Sequence, residues 1–186
     1  MKVENLNLKE QLDFNPEDGI LKLGGQRMVI MPADSIGQLI GFIMRIGDEN
    51  MVHMFLFEMG EEAGRRDAEN LKKEFPPDTD MDWAGLGPTI HSWEGIVKAV
   101  PEEIEIDRDK PYTHWKGTWD NSFIADQWLD RFGESDEAVC SLLTGYAQGY
   151  SSIVVGEETE AREPMCRAKG DDKCMFEIKL KGDWEE

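Results

Sequence analysis

Residues Arg162–Lys181 read REPMCRAKGDDKCMFEIKLK, and this stretch decides the fold of the last third of the chain. CMFEIKLK alternates apolar and polar residues, the period-two pattern of a strand with one buried face. Before it, Gly170 and the Asp171-Asp172 pair supply turn chemistry. A turn there brings Cys166 and Cys174 toward each other. Cys140 is the third cysteine of the chain. An odd number of cysteines, with no secretory leader, does not read as a disulfide framework. Three thiolates leave one place in a tetrahedral zinc site, and Glu160, Glu163 and Glu177 are the nearest carboxylates. His114 is distant in sequence. The competing reading is three buried reduced thiols acting as small apolar groups. If a metal binds, four protein ligands leave no open position, so the site is structural and not hydrolytic.

Upstream of this stretch the elements alternate. Residues 19–31, GILKLGGQRMVIM, suggest a hairpin turning at Gly24-Gly25. Pro32 ends it, and Asp34 or Ser35 is placed to cap a helix running to Ile46 and stopping at Gly47. Residues 48–75 read as a long helix, with Met51, Val52, Phe55, Met59 and Ala63 at helical spacing. Gly60 and Gly64 would let another element approach closely, and Pro76-Pro77 stops the helix. After the turn GLGP, a short helix over about 88–95 carries His91. Residues 96–118 suggest two strands with a turn near Asp107 to Pro111. Helices follow over 121–132, closed by Gly133, and over 135–150, with Cys140 inside. Residues 152–164 and 174–181 complete the set as strands. The order implies one α+β domain, an antiparallel sheet packed with helices, with a zinc-braced C-terminal subregion. Residues 1–18 are polar and read as an arm or entry segment.

The chain has 186 residues and a formal net charge of −19. Such acidity opposes nucleic-acid binding, which needs a basic patch. The densest basic pieces, Arg65-Arg66 and Lys72-Lys73, lie among carboxylates and read as a solvated helix face. No apolar run approaches the roughly 20 residues of a membrane span. MKVENLNLKE lacks the apolar core of a secretory signal. The expectation is a cytoplasmic protein that neither spans a membrane nor binds nucleic acid directly.

A further set of pieces carries a resemblance: GILKLGGQRMVIMPADSIGQL, EEAGRRDAE, GPTIHSWEG, WDNSF, RFGESDEAVC, LLTGYAQGYSS and REPMCRAKGDDKC. In this order they resemble the N-terminal effector-sensing domain of aromatic-responsive sigma-54 activators of the XylR, DmpR and MopR type, with its vinyl-reductase-like half. On this resemblance the sensing domain covers 19–186, with the zinc-binding vinyl-reductase-like part at about 120–182. The resemblance implies one structural zinc per chain, held by Cys140, Glu163, Cys166 and Cys174. It implies a small aromatic effector such as a phenol, held by His91 in GP-x2-H-x2-EG and Trp119 in W-x2-SF. It also implies a homodimer to which the N-terminal region contributes.

The chemistry of the pair agrees with that implication. A neutral imidazole accepts the proton of a phenol hydroxyl and an indole N–H donates to its oxygen. Tyr146 and Tyr150 match family tyrosines that either line the pocket or pack. Two departures bear on the effector: Gly117 stands where the family carries bulkier residues and would enlarge the pocket, and Trp93 would fill it again. Trp83, Trp115, Phe123 and Trp128 read as core. The chain has no G-x4-GK-[ST] loop, so it is expected to be an excised sensor or a free-standing relative. Three functions compete. The first is a sensor signalling to a transcription-activating output module. The second is a free-standing carrier or adaptor for a small hydrophobic ligand. The third is a reductase-associated enzyme, against which stand the missing G-x-G-x-x-G loop, G-x-S-x-G elbow and open metal triad. The expectation is a sensor and no enzyme.

Overall fold

The structure is a computed structural model and describes residues 1–107 and 112–184. It is an α+β arrangement of two antiparallel sheets and a set of helices. The smaller sheet has the order β1 (Leu12–Asn15), β2 (Ile20–Leu23), β3 (Gln26–Met28). Its β2–β3 turn is the expected Gly24-Gly25, with φ of 53° and 80°, a left-handed geometry that glycine adopts without steric cost. β1 was not foreseen; residues 12–15 extend the hairpin to three strands. The N-terminal segment packs on the body of the domain. Leu8, on the one-turn helix α1 (Leu8–Gln11), is fully buried.

Helix α2 (Ala33–Ile46) has Pro32 at its N-cap position, with no side-chain cap. Asp34 therefore sits inside the first turn and takes a salt bridge from Arg131 on α5 (Phe123–Phe132). Helix α3 (Glu49–Glu74) is the expected long helix, capped by Asp48, whose side chain accepts from the Met51 N–H. Helix α4 (Asp80–Glu94) begins eight residues before the expected start, and Pro88 lies within it. The Thr79 side chain caps it through the Asp82 N–H at 3.1 Å. Helix α6 (Ser141–Val155) starts and ends later than expected. Cys140 is its N-cap residue instead of an interior one, and residues 152–155 are helix where a strand was expected.

The larger sheet has the order β4 (Lys98–Asp107), β5 (Tyr112–Asp120), β7 (Cys174–Leu180), β6 (Thr159–Met165). The expected turn between β4 and β5 lies mostly outside the described residues. Helices α3 and α6 meet backbone to backbone. A Cβ on Gly60 or Gly64 would run into the carbonyl oxygens of Leu142 and Tyr146, and one on Gly145 or Gly149 into those of Phe57 and Glu61. Four glycines at paired four-residue spacings thus remove every side chain from the contact. Substituting any one of them pushes the helices apart. Trp83, Trp115 and Trp128 are buried in the core as expected, with Phe123 partly buried against it.

Candidate functional site

Two constellations stand side by side around the larger sheet, and the strand register connects them. In the β5–β7 pairing Trp119 lies opposite Cys174, and Cys140 caps the helix that carries Tyr146 and Tyr150.

The first constellation is Cys140, Glu163, Cys166 and Cys174, whose ligand atoms all lie within 4.8 Å of one another. Strand β6 and the short 3-10 turn Arg167–Lys169 bring in Glu163 and Cys166, and β7 starts at Cys174. The Cys140 and Cys174 sulfurs are 3.9 Å apart. A tetrahedron with Zn–S bonds of about 2.3 Å has an edge of roughly 3.8 Å. One Glu163 oxygen accepts the Cys140 N–H at 3.0 Å, while the other, Oε1, is buried with no hydrogen-bond partner. Burial, followed by the negative charge of Cys166, pushes the Glu163 carboxyl up to about 8. Hydrogen bonds with Cys166 and Cys174, then burial, push the Cys140 thiol well up. Without a cation this buried cluster keeps protons, and a divalent ion would displace them. An unpartnered oxygen, three thiols and a tetrahedral edge fit a metal ion. The Ser122 hydroxyl, 3.2 Å from the Cys140 sulfur, and the Arg167 N–H, 3.4 Å from the Cys174 sulfur, form an outer layer that sequence reading missed.

The second constellation is an apolar cavity of about 50 Å³ between α4, α6 and the sheet. His91, Trp119, Tyr146 and Tyr150 all line it. His91 comes from the last turn of α4, Trp119 from β5 and the tyrosines from α6. The His91 and Tyr146 ring centroids are 3.8 Å apart, and Tyr146 stacks on Tyr150 at 5.7 Å. Burial lowers His91 to about 4, so at neutral pH its ring is uncharged, with one nitrogen free to accept.

Two expectations about the cavity are corrected. Trp93 is 44% exposed and does not line it, because it sits two positions from His91 and helical geometry turns it outward. Gly117 does not enlarge it. The Phe176 ring takes the space, 2.8 Å from where a Cβ would stand. Trp115, expected only as core, also lines the cavity, and its buried indole N–H has no hydrogen-bond partner.

Behind Tyr146 lies an acidic pair that sequence reading did not single out. Burial raises Asp67, and burial plus the Asp67 charge raises Glu94 to about 7. The Tyr146 hydroxyl is buried without a hydrogen-bond partner, and its own proton is held tightly by burial and by the Asp67 charge.

Comparison with known proteins gives two family matches. The model described as activator of aromatic catabolism matches residues 7–107, and the model of the vinyl-4-reductase-type domain matches residues 117–180. The phenol regulator MopR of Acinetobacter guillouiae is 31% identical over 185 residues, covering 98% of this chain and 33% of its own length. The transcriptional regulatory protein XylR of Pseudomonas putida is 28% identical over 178 residues, covering 96% of this chain and 31% of its own. This chain thus spans about a third of the curated relatives it matches. Among solved structures, the phenol-responsive sensory domain of the transcription activator PoxR, solved with phenol, superposes with a TM-score of 0.88. The two are 30% identical, over 98% of this chain and 90% of that one. A trafficking protein particle complex subunit 3 from Naegleria fowleri, covalently bound to palmitic acid, shares the fold alone, at a TM-score of 0.54 and 16% identity. It aligns with 83% of this chain and 95% of its own.

Proposed function

This chain belongs to the family of activators of aromatic catabolism, and on that premise we propose that it is a sensor domain whose effector is a phenol or related small aromatic. The observation that carries the reading is the cavity itself, apolar on most sides, with a neutral imidazole and an indole in its wall. His91 accepts the hydroxyl proton of the effector and Trp119 donates to its oxygen. The surrounding rings and aliphatic groups bury the aromatic body. The family is regulatory, and the chain is no enzyme.

A cavity that holds benzene measures about 150 Å³. At about 50 Å³ this one is too small for the effector, so binding has to enlarge it. Ligand affinity thereby differs between a contracted and an expanded state, the condition for any switch. The expanded state would alter the surface presented to a transcription-activating output module. Zinc, one per chain, would be held by Cys140, Glu163, Cys166 and Cys174, fixing the N-terminus of α6 and the start of β7. Its part is structural.

The domain acts as a homodimer in the cytoplasm and leaves nucleic acid to other modules. Exposed apolar residues at the N-terminal end support the dimer, notably Phe14 at 68% and Ile30 at 85% exposure, with Leu12, Val29 and Met31. Solvent leaves such a set uncovered only at a cost, and burial in a partner relieves it. Two further facts fit this location and role: no described helix is long and apolar enough to cross a membrane, and the net charge is −19.

Calorimetric titration of the zinc-loaded protein with phenols and with aromatics lacking a hydroxyl tests the reading. We expect micromolar-range binding of at least one phenol, weakened about 10- to 100-fold by His91→Ala, the scale of a lost hydrogen bond in a dry site. Absence of binding by every compound would overturn it.

A further inference from the structure

We propose that Tyr150 is a positioning residue for His91, setting through helix α4 how strongly the cavity prefers an aromatic that carries a hydroxyl. The discrimination part of this rests on the sensor reading above; the positioning part does not.

Trp83 and Gly87 are four residues apart on α4, so an uninterrupted helix pairs the Gly87 N–H with the Trp83 carbonyl. Here the Tyr150 hydroxyl, reaching across from α6, bridges the two. It accepts from the Gly87 N–H at 3.1 Å and donates to the Trp83 carbonyl at 2.6 Å. The next residue is Pro88, which has no N–H to give. The hydrogen-bond ladder of α4 is therefore altered at two successive positions, and His91 lies one turn further on. A side chain inserted in the ladder and a proline are both recognised causes of helix bending. Gly87 makes the insertion sterically feasible. A Cβ there would sit 2.9 Å from the Tyr150 ring.

Helix α6 is a fixed reference for this contact. Its N-cap is Cys140 and its outer face is locked to α3 through glycine backbones. Tyr150 is 2% exposed and its ring lines the cavity, while its hydroxyl leaves the cavity for α4. The same ring stacks on Tyr146, which in turn lies against His91. One side chain thus touches the cavity wall and the backbone that carries the hydroxyl-binding imidazole. Enlarging the cavity must press on the Tyr150 ring, and the bridge transmits that to α4.

Tyr150→Phe separates positioning from simple packing. It keeps the ring and leaves the Gly87 N–H and Trp83 carbonyl free to pair with each other, so no buried polar group is stranded. The first readout uses the unliganded protein, following the Gly87 amide and the His91 ring nitrogens by NMR. Both sets of resonances are expected to shift, with slowed amide exchange at Gly87 as the ladder closes. The second readout is the ratio of phenol to toluene affinity, expected to fall at least fivefold. Gly87→Ala, whose Cβ displaces the hydroxyl from the other side, should reproduce both changes, and it carries the test should Tyr150→Phe fold poorly. Unchanged His91 resonances would overturn the proposal, as would an affinity ratio within twofold of the parent. If no variant and no parent binds an aromatic, the sensor reading fails, and the NMR arm still decides the positioning role.

Discussion

The metal cluster and the cavity differ in readiness. The four ligand atoms of the cluster already converge within 4.8 Å, with a sulfur–sulfur distance close to that of a tetrahedral edge. The cavity, at about 50 Å³, lacks room for the ring it is built to recognise. A brace must be complete before it can hold anything, whereas a sensor must change when its ligand arrives. The two share elements: Cys140 caps the helix of Tyr146 and Tyr150, and Cys174 pairs with Trp119. The soft site is therefore built on the hard one. Its movable parts are to be sought on α4, the wall farthest from the metal ligands in the chain's connectivity.

Removing the brace is the most severe way to break this comparison. Cys166→Ser, or a strong chelator on the parent, should release about one zinc per chain and unfold or precipitate the protein. Structural zinc in small domains contributes on the order of 10 kcal/mol to folding, comparable with the whole stability of a domain. Elemental analysis with thermal unfolding checks this. A zinc-free protein that stays folded and still binds phenol would show the two regions to be independent.

The unequal readiness of the two sites also governs what sequence reading could reach. Cys166, Cys174 and the intervening turn are local, so their convergence follows from residue spacing. Glu163 could be chosen over Glu160 and Glu177 only by resemblance, since the choice depends on a β6–β7 register that spacing does not encode. The cavity is assembled from residues far apart in sequence. There His91 and Trp119 were found by motif, while Trp115, Asp67 and Glu94 went unnoticed. Helix α4 was cut short because Pro88 reads as a stop. The Thr79–Asp82 pair, a helix-start signature, would have recovered it, and the Thr79 side chain does cap Asp82. The run SSIVV reads as strand from its β-branched residues, yet it is helical. The close α3 contact fixes α6 in place and buries Val154 and Val155, so packing overrides propensity.

A smaller effect probes the soft side alone. Unfolded His91 takes up a proton near pH 6.5 and folded His91 only near pH 4. As pH falls through that window the unfolded state gains protons that the folded state refuses, so stability is lost. The difference corresponds to about 3 kcal/mol. Against the parent, a His91→Leu variant should therefore gain relative stability progressively from pH 6.5 down to 4. Denaturant titrations at several pH values measure it. A pH-independent difference would mean that His91 is not buried as a neutral ring, and the cavity would lose its hydroxyl acceptor.

Glu94 gives the opposite slope. Its folded carboxyl holds a proton up to about pH 7, through burial and the charge of Asp67, whereas the unfolded carboxyl ionises near pH 4.5. As pH rises across that window the unfolded state releases a proton that the folded state retains, and the fold is penalised. Glu94→Gln removes the penalty. The variant should match the parent near pH 4 and exceed it by about 1–2 kcal/mol at pH 8, a figure reduced from the full linkage value because Glu94 is only partly buried. His91 and Glu94 are three residues apart on α4, so they lie on neighbouring positions of one helix face. Opposite pH slopes from the two substitutions would mark that face as the electrostatically strained wall of the cavity. Parallel slopes would remove the distinction between a relaxed brace and a strained sensor.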